Sequence, residues 1–134
     1  MAHKIPRLVV IDDDDEVLEM LLLHLSLHDV EVVSFSDPTA ALEYICNNVS
    51  SIDGILSDLN LNPITGIDLL KKTHSLAPAL PFYIMSGNAS SEEIEAAKAL
   101  NVTGILDKIA MLNQLGAIVD DIKSRYAQQM AVSS

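Results

Sequence analysis

The sequence predicts an α/β fold in which one parallel sheet is covered on both faces by helices. Five short apolar runs recur along the 134 residues, and each is followed by a segment of helical periodicity. The runs are apolar at consecutive positions rather than alternate ones, as strands buried on both faces require. Helix-start signals stand between them, notably "SDP" at 36–38 and "SSEE" at 90–93. Strands that alternate with helices in this way imply right-handed crossovers and hence a parallel order.

Each element has its own warrant. "LVVI" (8–11) is the first strand, and Asp14, Asp15 and Glu16 open the first helix, which carries His24 and His28 at i, i+4. "VEVVSF" (30–35) is the second strand; Asp37 then caps a helix with Pro38 in its first turn. Leu42, Ile45, Cys46 and Val49 recur there at helical spacing, which places Cys46 on the buried face as a structural thiol. "GILS" (54–57) and "FYIM" (82–85) are the third and fourth strands, and Ser90 with Glu93 is spaced as a capping box for the fourth helix. "VTGIL" (102–106) is the fifth strand, followed by a helix striped by Leu112, Leu115, Ile118, Val119 and Ile122. Residues 1–6 read as an N-terminal extension, 7–126 as the domain and 127–134 ("AQQMAVSS") as a frayed tail. The expected class is a five-stranded, doubly wound (βα)5 flavodoxin-like sandwich.

Composition narrows the function. A chain this long with 49% hydrophobic residues supports one core and no second domain. Eight Lys and Arg against nineteen Asp and Glu give a formal net charge of −11, which repels phosphate backbones and anionic lipid, so neither nucleic acid nor a membrane is expected as direct partner. The single cysteine excludes an internal disulfide, and with no long apolar window and no signal-peptide pattern the expected location is cytoplasmic.

The run Asp12–Asp15 concentrates like charge at a strand end, where crowded carboxylates raise one another's pKa by roughly a unit or more unless a cation neutralises them. A helix N-terminus offsets part of that cost, at about 0.3–1 kcal/mol per charge; a divalent cation such as Mg²⁺ offsets more. Sites in open parallel sheets form beyond the carboxyl ends of the strands. Those ends carry Asp12 and Asp13, Asp58, Ser86 and Lys108. Singly, each has an ordinary explanation as a turn, loop or surface residue. Jointly they suit phosphoryl transfer to a carboxylate: Asp12 and Asp13 hold a metal, Asp58 attacks, and Ser86 and Lys108 grip phosphoryl oxygens.

On "VVIDDDDEVLEML", "DGILSDLNLNPITGIDLLKK" and the positions of Ser86 and Lys108, the chain resembles the receiver domain of two-component response regulators over almost its whole length. The resemblance implies that a sensor histidine kinase or histidine phosphotransfer protein phosphorylates Asp58, with small phosphodonors also serving. It implies Mg²⁺ (or Mn²⁺) held by Asp12, Asp13, Asp58 and the carbonyl of Asn60. It also implies hydrolysis tuned by Asn60 and Asn88, output through a partner protein or separate effector domain, and self-phosphorylation and dephosphorylation without turnover of an external substrate.

Departures from the family pattern are specific. Asn62 stands where Pro is usual and Pro63 follows, which predicts an altered loop, while Gly66 keeps its place. Gly87 replaces the usual Ala after the switch hydroxyl, and Ile105 replaces the aromatic switch residue. Ile109 replaces the Pro after Lys108, so the Lys108–Ile109 bond is expected to be trans, because a non-proline cis bond costs about 2.5–4 kcal/mol. A haloacid-dehalogenase-type phosphatase would place its nucleophile early and its acidic pair late, the reverse of the order here. A flavodoxin-like cofactor binder would need a phosphate-cradling loop after the first strand, where this chain has "DDDD". The remaining alternative is a non-phosphorylated interaction module, and phosphate incorporation separates it from a working receiver.

Overall fold

The central strands follow the apolar runs closely. The computed structural model describes residues 5–133. Its strands are β1 (Arg7–Ile11), β2 (Glu31–Phe35), β3 (Gly54–Asp58), β4 (Phe82–Ser86) and β5 (Gly104–Asp107). All pair parallel in the order β2-β1-β3-β4-β5. Every residue of β3 and β4 is buried, as are Leu8 to Ile11 of β1, whereas the edge strands β2 and β5 are only partly covered.

Period-two alternation divides those strands between two cores. Leu8, Val10, Leu56, Tyr83 and Met85 face α1 (Asp15–Leu25) and α5 (Leu115–Ser133), meeting Leu18, Leu21, Leu25, Ile118, Val119 and Ile122. Val9, Ile11, Ile55, Phe82 and Ile84 face the other way. They meet α2 (Pro38–Asn48), α3 (Gly66–Leu76) and α4 (Ser91–Ala99) through Ala41, Ile45, Leu69, Leu70 and Ala97. Fully burying each such aliphatic side chain contributes about 1.5–3 kcal/mol, so these two layers fix the sheet to which the site is attached.

Helix starts form as their residues dictate. Asp14 caps α1 by accepting from the amides of Glu16 and Val17, and Asp37 caps α2 ahead of Pro38. Both halves of the Ser90–Glu93 capping box are made, and a second box, Thr65–Asp68, starts α3.

Three expectations are corrected. Cys46 is exposed, because α2 buries the Ala41–Ile45 stripe, and one further residue turns 100° around the helix. Strand β5 begins at Gly104 rather than Val102, because the Val102 amide donates to the Ala97 carbonyl (3.1 Å) and closes the end of α4. Residues 127–133 continue α5 as helix instead of fraying. The altered loop after β3 carries a cis Asn62–Pro63 bond, while Lys108–Ile109 is trans as expected.

Candidate functional site

Three strand ends bring three carboxylates and an ammonium together. Asp12 follows β1 and is fully buried, and Asp58 ends β3 with 4% exposure. Asp13 is exposed beside them. One carboxylate oxygen from each of the three lies within 4.8 Å of the others, a grouping of hard oxygen donors that suits a divalent ion such as Mg²⁺. The buried Oδ2 of Asp12 is met by the Lys108 ammonium and by no backbone or neutral donor, as suits an oxygen that takes a cation.

Lys108 bridges the pair. Its Nζ lies 3.0 Å from Asp12 Oδ2 and 3.1 Å from Asp58 Oδ2. Burial alone would lower its pKa, but its hydrogen bonds and charge interactions with Asp12 and Asp58 prevail and raise it, so it is ammonium at neutral pH. Burial pushes the Asp12 carboxyl up; the Asp14 amide (2.9 Å to Oδ1) and Lys108 oppose the shift, and the charge of Asp58 reinforces it.

Backbone contacts hold these side chains in place. The Asn60 amide donates to Asp58 Oδ1 at 3.3 Å, which turns the chain so that the exposed Asn60 stands at the rim. Ser57, an unexpected buried hydroxyl, donates to the Asp58 carbonyl at 2.9 Å. Gly66 packs against that same carbonyl: a Cβ there would collide with it and lie 2.9 Å from Leu59 Cα. In the sequence Ser57 shows only as a serine in an apolar strand, whereas Gly66 keeps its place in the family pattern.

Ser86 ends β4; its Oγ accepts from the Asn88 amide (3.1 Å) and its carbonyl from the Lys108 amide (3.0 Å), which ties the fourth and fifth strand ends together. Gly87 and Asn88 are exposed on the loop, and a Cβ at Gly87 would meet nothing, so packing does not demand glycine there. Ile105 does not join the rim. It sits half-buried in β5 beside a narrow apolar gap of about 10 Å³ between β4, β5 and α4.

A cavity of about 630 Å³ opens at the other end of the sheet, between Ile52, Pro78, Leu80 and the Arg125–Tyr126 segment of α5. No residue of the acidic cluster lines it. His24 binds its own helix through the Met20 carbonyl (2.9 Å), and among the described residues the acidic trio is the only set of three or more potential metal-ligating side chains.

The sequence profile of the response regulator receiver domain matches residues 8–120. The chain belongs to the response regulator receiver domains. Curated relatives of this receiver include the transcriptional regulatory protein GlrR of Escherichia coli (strain K12), 27% identical over 90% of this chain and 27% of that protein. Another is the transcriptional regulatory protein PrrA of Mycobacterium tuberculosis, 27% identical over 96% of this chain and 54% of its own. The receiver thus spans about a quarter to a half of those proteins. Among solved structures, a receiver domain protein from Clostridium thermocellum superposes with a TM-score of 0.84 at 22% identity, covering 92% of this chain and 98% of its own. A response regulator receiver protein from Pseudomonas putida gives 0.80 at 26% identity, over 90% and 99%.

Proposed function

We propose that this receiver accepts a phosphoryl group on Asp58 from a phosphohistidine of a sensor histidine kinase or histidine phosphotransfer protein, and that an output partner protein or separate effector domain reads the change. The observation that carries this reading is the convergence of Asp12, Asp13, Asp58 and Lys108 at the ends of β1, β3 and β5.

The chemistry follows from that convergence. An Asp58 carboxylate oxygen attacks phosphorus, the P–N bond breaks, and its electron pair returns to the imidazole nitrogen, which takes a proton from solvent. Asp12, Asp13, Asp58 and the Asn60 carbonyl would hold Mg²⁺ (or Mn²⁺), which when bound supplies the positive charge a dianionic phosphoryl group needs beside three carboxylates. Lys108 turns from its bridge between Asp12 and Asp58 to one phosphoryl oxygen, and the Ser86 hydroxyl takes another, with Gly87 leaving its loop free to follow. Asn60 and Asn88 flank the acyl phosphate and set how readily water removes it. Such a protein modifies itself and turns over no other substrate. Its charge disfavours DNA, and no helix among the described residues is long and apolar enough to cross a membrane; both fit a cytoplasmic relay.

Incubation with phosphoimidazole and Mg²⁺ tests this. One phosphoryl group should appear by intact mass, be lost in Asp58→Asn, and fail to form with chelator. Label retained by Asp58→Asn, or formed equally without the metal, would contradict it, and an unlabelled protein would favour the non-phosphorylated interaction module.

A further inference from the structure

Ser57 stands where stability alone would put an aliphatic side chain. It is fully buried, and its partners across the sheet are Ile11 of β1 and Ile84 of β4, both buried and turned to the face of α2, α3 and α4. A Val or Ile in that layer would bury more apolar surface and bring no polar atom in need of a partner. Among the described residues the hydroxyl has one partner, the Asp58 carbonyl at 2.9 Å.

That carbonyl lies where the sheet comes apart. The pairing of β1 with β3 ends at Ile11 and Ser57, one residue short of Asp58. Beyond Ile11 the chain leaves β3: the Asp12 amide donates to the Phe35 carbonyl (3.1 Å) and the Asp14 amide to Asp12 Oδ1 (2.9 Å). Separation of the two strand ends lets Asp12, Asp13 and Asp58 face a common space, and it deprives the Asp58 carbonyl of a ladder donor. Ser57 supplies one from its own strand. The N–H of the same peptide, that of Leu59, is tied to the Met85 carbonyl on β4 at 2.9 Å, so the hydroxyl fixes the peptide's second end. Gly66 limits this carbonyl by contact; the hydrogen bond sets where it points.

We infer that Ser57 is a positioning residue for phosphoryl transfer: its buried hydroxyl orients the peptide that follows the nucleophile, and thereby the carboxylate oxygen that meets phosphorus. This rests on the phosphoacceptor reading above. Ser57 touches no donor, because it is wholly covered. It acts through Asp58, whose two carboxylate oxygens meet the Asn60 amide (3.3 Å) and the Lys108 ammonium (3.1 Å) only while the backbone beneath them is held. Without the hydroxyl the peptide is tied at one end, and an attacking atom displaced by a fraction of an ångström loses rate while the donor binds as before.

Ser57→Ala and Ser57→Cys test this together, because a thiol fills the hydroxyl's space but donates only weakly. Each variant is labelled with phosphoimidazole at saturating Mg²⁺, and rates are expressed per folded molecule, with the folded fraction taken from urea titrations. Both variants should lose about tenfold in maximal labelling rate, with the half-saturating phosphoimidazole concentration within twofold of wild type. A side chain that merely filled space would lower the urea midpoint of Ser57→Ala, leave its rate per folded molecule intact and be replaced fully by Cys. A wild-type rate in either variant therefore overturns the inference and leaves the acceptor reading standing. So does a loss confined to the half-saturating concentration, which would place Ser57 in donor binding. Wild-type protein that phosphoimidazole does not label overturns both.

Discussion

At Gly66 the absence of a side chain is a requirement of the nucleophile's neighbourhood. The first turn of α3 lies so close to the Asp58–Leu59 backbone that a methyl group must displace one or the other. Gly66→Ala should therefore destabilise the fold by about 1–3 kcal/mol and slow phosphoimidazole labelling as well; an unchanged urea midpoint together with an unchanged initial rate would refute the packing account. Lys108→Ala acts differently. It leaves Asp12 buried without its cation, so the metal-free protein should lose about 3–5 kcal/mol, yet Mg²⁺ binding should persist because the ammonium is no metal ligand. Loss of Mg²⁺ binding in that variant would show the roles to be misassigned. The Lys108 pKa is raised on folding, so its contribution is fully present below the unfolded value of about 10.4 and is lost as pH rises through the folded one. The alkaline limb of wild-type stability should accordingly flatten in Lys108→Ala. Asp12, Asp58, Ser86 and Lys108 were legible in the sequence because each terminates or directly follows an apolar strand. Ser57, which steadies the Asp58 carbonyl, was not, because a hydroxyl within such a run carries no sign of where it points.

Contacts between elements were the least legible. Tyr83 on β4 donates its hydroxyl to Asp121 on α5, which also pairs with Arg125 at 3.0 Å. Thirty-eight residues separate the first two, and no periodicity encodes such a pairing. The phenol holds the Asp121 carboxyl below its ordinary pKa, with Arg125 assisting. A depressed carboxylate contributes stability above its unfolded pKa and loses it as pH falls through the folded value. Tyr83→Phe should thus cost about 1–2 kcal/mol near pH 7, with a smaller deficit at acid pH where Asp121 is protonated in both proteins; urea titrations at the two pH values measure it. Helix periodicity misled at Cys46 for a related reason, since Leu42–Ile45–Cys46–Val49 and Ala41–Ile45 are overlapping stripes and only packing selects between them. On β5, Ile105 lines a narrow gap under α4 where the family pattern has an aromatic ring. Pulling Ser86 toward a phosphoryl group should then be transmitted by α4 shifting against Ile105, without rotation of a ring. Amide exchange with and without beryllofluoride should change over 90–100, and changes confined to the far end of the sheet would exclude this route.

On the scale of the whole molecule, the acidic surface and the site make opposite demands on cations. The net charge of −11 is spread over exposed carboxylates that any salt screens, whereas the trio at the rim, with only Lys108 set against it, calls for one localised divalent ion. Because an unfolded chain does not assemble Asp12, Asp13 and Asp58, Mg²⁺ at the proposed site would bind the native state alone and should stabilise it by mass action. The gain is about 2.7 kcal/mol at a hundred times Kd, enough to raise Tm by roughly 10 °C in a domain of this size. Monovalent salt at matched ionic strength should raise Tm less, since screening acts on the dispersed charge and gives no coordination. Asp13→Ala separates the two contributions. It removes an exposed ligand without touching either core, so the salt response should survive while the Mg²⁺-specific increment shrinks. An equal Mg²⁺ increment in wild type and Asp13→Ala would mean that the ion acts only as screening salt, and the acidic cluster would then have no metal function.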